Sequence, residues 1–149
     1  MPRRFVHLAT LLAAAVLCSC SDGPPLSPLT EGLALPVTLE TTVDPASSSP
    51  PRLQISPIPG GAKVEWQVSS APCLDADASA LQSGALIEVR IHRSANPLAL
   101  CVAGTVTYSY VARVSAPAPG HYEVRVIDDM LGQPMRLVGR GTVAVTWTF

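Results

Sequence analysis

Residues 63–68 read KVEWQV, and every second one of them is apolar. Val64, Trp66 and Val68 carry the apolar side chains, and charged or amide side chains lie between them. Because successive side chains of a β-strand point to opposite faces, this period of two predicts a strand that is buried on one side and solvated on the other. A slip of one residue would turn all the apolar side chains to water, so the pattern also predicts the register of the strand.

The same alternation recurs from Gly60 onward, and no window after residue 20 has the spacing of an amphipathic helix. A weaker run follows Cys73, and its Ser83-Gly84 pair predicts a two-residue hairpin turn. Leu35–Val43 has the β-branched residues of a further strand, either within the domain or loose at its edge. The predicted inward-facing rows are Ile87, Val89 and Ile91; Val106, Tyr108, Tyr110, Ala112 and Val114; Tyr122, Val124 and Val126; and Val143, Val145, Trp147 and Phe149.

Turns that contain proline or glycine separate these predicted strands. Such an organisation predicts an all-β protein, an antiparallel β-sandwich of about seven to nine strands. The chain has 10 basic and 11 acidic residues, and the basic ones are not clustered. A phosphate-binding surface, and hence a nucleic-acid partner, is therefore not expected.

The start of the chain has the three zones of an export signal. Arg3 and Arg4 provide the positive charge, Phe5–Leu17 is almost entirely apolar, and small residues follow. In a helix, the 13 residues of Phe5–Leu17 would span about 20 Å, which is less than the roughly 30 Å hydrocarbon core of a bilayer. We therefore interpret residues 1–19 as a signal peptide, not as a permanent transmembrane helix.

Leu17-Cys18-Ser19-Cys20 resembles the lipobox of bacterial lipoproteins, which has an aliphatic residue three places before the modified cysteine and a small residue just before it. The departure is Cys18, which stands at the minus-two position. The resemblance implies cleavage before Cys20, a lipid on the Cys20 sulfur, and anchoring in a membrane of the bacterial cell envelope. Ser21 resembles the second mature residue of lipoproteins that are sent to the outer membrane. The alternative is ordinary secretory cleavage near Ser19–Ser21, which would release a soluble secreted protein.

Cleavage before Cys20 would leave 130 residues, since 149 − 19 = 130, and this length suits one domain. Pro24, Pro25 and Pro28 favour an extended backbone. We therefore interpret residues 20–34 as a flexible, lipid-anchored tether and residues 35–149 as the β-sandwich domain. A second proline-rich segment covers Asp44–Gly61.

The chain has four cysteines, which allow three disulfide pairings. By the lipobox resemblance, Cys18 leaves with the signal peptide and Cys20 carries the lipid. The resemblance therefore implies that Cys73 and Cys101 form a disulfide in the oxidising periplasm. Two free buried thiols are the alternative, and two cysteines alone lack the other ligands of a four-coordinate zinc site.

Pro119–Val126, PGHYEVRV, resembles the corner that leads into a late strand of immunoglobulin-like and fibronectin-like domains. In such a corner a tyrosine hydroxyl bonds an upstream backbone group, and Tyr122 is the matching residue. Trp66 on an early strand and a closing strand GTVAVTW fit the same plan, although the cysteine spacing differs from that of antibody domains. The resemblance implies an immunoglobulin-like sandwich.

The segment Trp147-Thr148-Phe149 carries a competing resemblance, to the last strand of an outer-membrane β-barrel. A small barrel would need aromatic girdles and long, uninterrupted strands. The chain has few aromatic residues and 15 prolines, so the sandwich is the preferred interpretation.

Two acidic pairs are candidates for metal binding. Asp75-Ala76-Asp77 imitates the start of a calcium loop, but Ala80 and Leu86 replace the glycine and the glutamate that the loop needs. We interpret this segment as an exposed strand. Asp128-Asp129 is typical of a turn, because aspartate side chains initiate turns.

His92 and His121 both fall on the outward side of their predicted strands, so we expect solvated side chains and not metal ligands. The sequence has no G-x-S-x-G motif and no glycine-rich phosphate loop, and Gly139-Arg140-Gly141 precedes a predicted strand. We therefore expect no enzyme activity, no cofactor and no metal. The expected function is that of a membrane-anchored binding or structural module whose partner is a protein, a peptide or a glycan.

Overall fold

The structure, a computed structural model, describes residues 27–45, 49–101 and 103–147. Within these ranges the chain forms nine β-strands and no helix, so the predicted all-β class is confirmed. The strands are β1 (Leu33–Ala34), β2 (Val37–Asp44), β3 (Arg52–Ile58), β4 (Gly61–Ser70), β5 (Leu74–Ser83), β6 (Leu86–Ala95), β7 (Val106–Ser115), β8 (Gly120–Met130) and β9 (Arg136–Val145).

The strands form two sheets that pack face to face, in agreement with the predicted sandwich. Sheet I has five strands in the order β1-β5-β6-β8-β9, and sheet II has four strands in the order β2-β7-β4-β3. The sheets meet along both sides, where β3 packs against β9 and β2 packs against β5. The core lies between them.

Period-two alternation places the core side chains as predicted. Trp66 of β4 is 1% exposed, and Ile91 of β6 and Val124 of β8 are fully buried. In the closing row Val143 and Val145 are buried, but β9 ends at Val145 and Trp147 is 46% exposed. The prediction that Trp147 faces the core is therefore wrong, and Phe149 lies outside the described residues.

The segment around β2 belongs to the domain. All eight residues of β2 pair with β7, from Val37 opposite Val114 to Asp44 opposite Thr107. β7, which carries Tyr108 and Tyr110, lies between β2 and β4 in sheet II. β2 is therefore an edge strand of this sheet, but ladder hydrogen bonds to β7 hold it along its whole length.

The antiparallel prediction is wrong for one pair of strands. β6 and β8 run parallel, with Val89 beside Val126, whereas the other strand pairs of the described residues are antiparallel. A parallel pair needs a crossover connection, and here the crossover is β7 in the opposite sheet. Alternation in a sequence carries no information on strand direction. The strand order also differs from the ABED and CFG order of immunoglobulin constant domains.

A strand within the second proline-rich segment was not predicted. β3 lies at the edge of sheet II, where Pro57 is tolerated because one side of an edge strand has no ladder partner. Leu53 of β3 packs so closely on β9 that a Cβ atom on Gly139 would lie 2.6 Å from the Leu53 Cδ2 atom. Gly139-Arg140-Gly141 thus lies inside β9, not before a strand, and its missing side chains let β3 approach.

The β5–β6 hairpin turns one residue later than predicted. Ser83 pairs with Leu86, so Gly84 and Ala85 form the two-residue turn. Gly84 has a φ of 59°, a left-handed conformation that glycine adopts without steric cost.

The two ends of the sandwich differ in their connections. At one end, which we call the short-turn end, lie the turns Pro59–Gly60, Gly84–Ala85 and Ala116–Pro119, together with residues 146–147 that follow β9. At the other end, which we call the disulfide end, lie the β2–β3, β4–β5, β6–β7 and β8–β9 connections. β1 begins beside Gln82, near the short-turn end.

Candidate functional site

The disulfide end carries the features that set this molecule apart from a bare sandwich. Cys73 and Cys101 form a disulfide with Cα atoms 5.8 Å apart and a sequence separation of 28 residues. Cys73 lies in the β4–β5 connection with a φ of 63°, and its carbonyl accepts a hydrogen bond of 2.9 Å from the Asn96 N–H. The disulfide therefore links the β6–β7 loop, residues 96–105, to the start of β5.

We expect Cys73→Ser to lower the free energy of unfolding by about 2–5 kcal/mol, because loss of the cross-link frees a long loop in the unfolded chain. Urea denaturation of the oxidised protein measures this loss, and Cys101→Ser should give the same value because it breaks the same bond. Mass spectrometry that finds both thiols alkylated without reduction would contradict the bridge.

Large apolar side chains are exposed on the loops of this end. Leu98 and Leu100 of the β6–β7 loop are 92% and 103% exposed, and Leu131 of the β8–β9 loop is 81% exposed. Met135, in the same loop as Leu131, is 40% exposed. Scattered exposed leucines are ordinary, but apolar side chains grouped at one end of a domain mark an interaction surface.

A cleft of about 710 Å³ opens at the same end. Its lining combines apolar residues of both sheets with an ion pair, and includes Val68, Met130, Met135, Arg93, Asp128 and Arg136. Its volume is in the range of small-molecule and peptide-side-chain pockets.

An almost fully buried ion pair forms part of the lining of this cleft. Arg93 Nε donates to Asp128 Oδ1 at 2.7 Å and Arg93 Nη2 donates to Asp128 Oδ2 at 2.6 Å, a two-pronged contact between side chains that are 5% and 6% exposed. Arg136 adds a bond of 3.2 Å from the rim to Asp128 Oδ2. Burial alone would lower the pKa of Arg93, but the hydrogen bonds and charge of Asp128 raise it above its ordinary value.

The Asp128-Asp129 pair is thus part of β8 and not a turn as predicted. The two-residue period that marks Ile91 and Val126 as inward also marks Arg93 and Asp128 as inward, so the signal for the buried pair was present in the sequence. The sequence does not show that Arg93 and Asp128 are neighbours, because their strands β6 and β8 become adjacent only through the parallel pairing.

Aromatic rings surround the buried guanidinium. The Arg93 Cζ atom lies 5.1 Å from the centre of the Trp66 ring, in reach of a cation–π interaction. Tyr110 lies against Trp66 at 5.4 Å and stacks on Tyr108 at 5.8 Å between ring centres. The Tyr108 hydroxyl accepts a hydrogen bond of 2.9 Å from the Leu74 N–H, next to the disulfide. This cluster fills the core beneath the disulfide end.

Within the described part of the chain, the buried Tyr110 hydroxyl and Arg93 Nη1 have no partner with hydrogen-bond geometry. Burial raises the pKa of Tyr110 from 10.0 to about 12, and the nearby positive charge of Arg93 offsets part of that rise. An unpaired buried hydroxyl contributes no stability, so its removal should be tolerated.

We expect Tyr110→Phe to change the free energy of unfolding by less than about 1 kcal/mol near neutral pH. In the wild type, the unfolded tyrosine loses its proton at lower pH than the folded one, so stability should fall by on the order of 2 kcal/mol between about pH 10 and about pH 12. That component should be missing in Tyr110→Phe. Urea denaturation of both proteins across this range measures it, and identical pH profiles would contradict the prediction.

A hydrogen-bonded chain of three side chains lies on the outer face of sheet I. Ser79 Oγ is 2.8 Å from His92 Nε2, and His92 Nδ1 is 2.8 Å from Asp129 Oδ2. Ser79, His92 and Asp129 come from the neighbouring strands β5, β6 and β8. His92 and Asp129 are 37% and 32% exposed. His92 therefore lies on the outward side as predicted, but it is partnered, and sequence reasoning missed the arrangement because its members are distant in the chain.

This connectivity, a hydroxyl on one imidazole nitrogen and a carboxylate on the other, is that of a serine nucleophile with its base and orienting acid. β5 pairs with β6 along its whole length and with β1 only at Leu81 and Gln82. Successive N–H groups of a strand point to opposite sides, so the two N–H groups next to each other at Ser79 do not converge on one developing oxyanion. The arrangement can accept a proton from Ser79, and it lies outside the cleft.

Residues 27–34, assigned above to the tether, pack on the same outer face. The Leu29 N–H donates to both carboxylate oxygens of Glu88 at 3.1 and 3.2 Å, and Arg90 donates to the Leu29 carbonyl. Arg90 Nε also bonds Glu88 at 2.8 Å, and Glu88 is only 1% exposed. With Leu33–Ala34 paired to β5, the folded part begins before residue 35, and the tether is shortened at its C-terminal side. Its other residues lie outside the described ranges.

Other predicted positions behave as expected. Asp75 and Asp77 are exposed on β5, and His121 is exposed on β8. The Tyr122 hydroxyl donates a bond of 3.0 Å to the Ala118 carbonyl, which confirms the predicted tyrosine corner. In the described ranges no three His, Cys, Asp or Glu side chains are grouped so as to hold a metal ion. The predicted lipid site Cys20 lies outside these ranges.

Fold and site together define a two-sheet, disulfide-linked β protein with a tyrosine corner. Comparison of the chain with protein-family models, with curated proteins and with solved structures finds no match. Across the residues that the structure describes, no helix has the length and apolar character needed to cross a membrane.

Proposed function

We propose that this chain is an exported bacterial lipoprotein whose β-sandwich is a non-catalytic module that binds a protein or peptide at the disulfide end. The lipid would be attached at Cys20 and would hold the module at the cell envelope, in the outer membrane. The observation that carries the proposal is polarity: β1 and the segment before it lie toward the short-turn end, and the cleft and exposed leucines lie at the opposite end.

A protein or peptide is favoured over a glycan by the chemistry of the exposed side chains. Leu98, Leu100 and Leu131 offer aliphatic surface, which suits apolar side chains of a partner. A glycan-binding site would need exposed aromatic rings for the sugar to stack on. The aromatic residues beneath the cleft, Trp66 and Tyr110, are buried. The tyrosine corner at Tyr122 supports a relationship to immunoglobulin-like and fibronectin-like domains. Domains of that kind bind partners through loops at one end of the sandwich.

The anchor is tested by metabolic labelling with a clickable fatty acid in a bacterial host. We expect labelling of the wild type and of Cys18→Ala, and loss of labelling in Cys20→Ala. Equal labelling of Cys20→Ala would contradict the attachment site, and an unlabelled wild-type protein in the culture medium would favour the soluble secreted alternative.

The binding surface is tested by site-specific photo-crosslinking in the producing cell. A crosslinking amino acid at Leu98 or Leu131 should give one discrete adduct, whereas the same group at Thr142 on the outer face of sheet I should give none. Leu98→Ser with Leu100→Ser should abolish the adduct formed from position 131 without lowering the melting temperature, since both leucines are exposed. Adducts of equal strength from all positions would contradict a localised site.

A second candidate function rests on the Ser79–His92–Asp129 chain. With His92 as the base, the Ser79 hydroxyl would attack an ester carbonyl carbon, and His92 would pass the proton to the leaving alkoxide. Labelling by a fluorophosphonate that disappears in Ser79→Ala and His92→Gln, but not in the control Ser94→Ala, would establish a hydrolase. Lack of labelling in the wild type would leave the binding module as the function.

A further inference from the structure

We infer that the short-turn end lies against the lipid surface, with Trp147 at the membrane–water interface. The inference rests on the proposed function, because the lipid at Cys20 is what brings a membrane to the domain. It assigns an orientation to the anchored module, in which the disulfide end faces away from the bilayer.

The connections at the short-turn end are uncharged, although the exposed Glu31 precedes β1 near this end. Its connections Pro59–Gly60, Gly84–Ala85 and Ala116–Pro119, and the residues 146–147, contain no acidic or basic side chain. Their exposed positions are proline, glycine, alanine and threonine, together with Trp147. Contact of these connections with headgroups would remove no charge from water, and charge removal is the main cost of burying protein surface at a bilayer. The connections of the disulfide end also lack charged residues, but three strands begin or end there in a charged residue, Asp44, Arg52 or Arg136, whereas no strand begins or ends in a charged residue at the short-turn end.

Trp147 is held on a rigid part of this end. Thr146 accepts a hydrogen bond of 2.9 Å from the Gly60 N–H, and Gly60 accepts one of 2.9 Å from the Ala116 N–H, so three connections are linked directly before Trp147. The indole is 46% exposed. Tryptophan has an apolar ring system and one N–H donor, and it concentrates at membrane–water interfaces for that reason.

The length of the preceding segment sets how far this end can stand from the membrane. Leu29 is fixed beside Glu88 and Arg90, which are the third and fifth residues of β6 from the short-turn end, or about 10 Å along the strand. Eight residues lie between Cys20 and Leu29, and the nine steps from one residue to the next, at about 3.1 Å each, reach about 28 Å. Full extension therefore leaves at most about 18 Å between the short-turn end and the lipid-bearing sulfur.

A short connection also makes a weak contact effective. A surface tethered by a few residues meets its target at an effective concentration in the millimolar range. One interfacial tryptophan among uncharged connections can then be bound most of the time, although alone it would bind a bilayer weakly. The leucines of the disulfide end are more numerous, but that end lies about 23 Å from Leu29 along the strands. The connection would therefore bring it to a bilayer only when almost fully extended.

The test uses the full-length lipidated protein in phosphatidylcholine vesicles, with and without bromine on the acyl chains. Bromine quenches tryptophan that reaches the bilayer. The protein has two tryptophans, and Trp66 is buried, so the wild type minus W147F gives the signal of Trp147. A matched variant, W147F with L98W, carries the indole at the disulfide end. Flotation with the vesicles is measured first.

We expect flotation of all three proteins, quenching and a blue shift of the Trp147 signal, and loss of both in W147F with L98W. Flotation without quenching of Trp147, or quenching from position 98 as well, would overturn the orientation and leave the anchor intact. Failure of the wild type to float would instead contradict the lipid anchor, so the two outcomes separate the inference from the proposed function.

Discussion

Asp128→Ala should lower the free energy of unfolding by about 3–5 kcal/mol, because it leaves the buried Arg93 charge without its partner. In the native protein both prongs of the guanidinium contact lie below 3 Å, at 2.7 and 2.6 Å. Arg93 is 5% exposed, so little of its guanidinium is in contact with water that could compensate for the lost carboxylate. The ring of Trp66 would remain beneath the guanidinium, but a cation–π contact contributes less than a carboxylate. Chemical denaturation monitored by tryptophan fluorescence measures the change.

Asp129→Ala is the matched control for this prediction. Asp129 is the next residue of the same strand and also forms an ion pair, but its partner His92 and its own side chain are about one third exposed. Exposed pairs contribute at most about 1 kcal/mol. The double variant Arg93→Met with Asp128→Leu should be about as stable as the wild type, because replacing both ions by apolar residues removes their desolvation penalty. A loss from Asp128→Ala no larger than that from Asp129→Ala would show that the pair is hydrated in solution.

Val124→Asp should prevent stable folding. Val124 is fully buried in β8, a strand with a neighbour on each side in sheet I. A carboxylate there would face sheet II with no cation and no donor provided for it, and such burial costs several kcal/mol even when the group takes up a proton. Set against a total stability of about 5–15 kcal/mol, the loss should leave little folded protein at 37 °C, which circular dichroism and the soluble yield report.

Two variants separate charge from volume in this result. Val124→Ala removes only apolar atoms and should cost about 2 kcal/mol. Arg125→Asp places a carboxylate one residue away on the outer face, beside a half-exposed Glu123, and should cost less than about 1 kcal/mol. Wild-type melting of Val124→Asp would mean that the faces of β8 are assigned the wrong way round.

The effects expected at Val124 follow from a pattern that can be seen in the sequence. The row Tyr122, Val124 and Val126 was predicted to face inward from its period of two, and all three side chains are buried. The tyrosine corner was predicted from the resemblance of Pro119–Val126 to immunoglobulin-like and fibronectin-like domains, and its hydroxyl partner is only four residues away in the chain. Local spacing determines side-chain direction in a strand, so contacts between neighbours in sequence can be predicted.

Features that depend on strands far apart in the chain could not be predicted in the same way. β3 was missed because prolines obscure its alternation, and it packs closely on β9 because the glycines of β9 leave room for Leu53. The Ser79–His92–Asp129 chain spans three strands, and its members meet only because β6 lies between β5 and β8. The docking of Leu29 on Glu88 likewise joins residues 59 positions apart.

The sequence by itself determined the all-β class and the buried face of the main strands, since each depends on residue type at fixed local spacing. The tertiary structure alone decided the parallel pairing of β6 with β8, the buried Arg93–Asp128 pair and the separation of the short-turn end from the disulfide end. The physical reason is that strand order and direction are chosen by the packing of whole sheets, and alternation along one strand is the same whichever neighbour it pairs with.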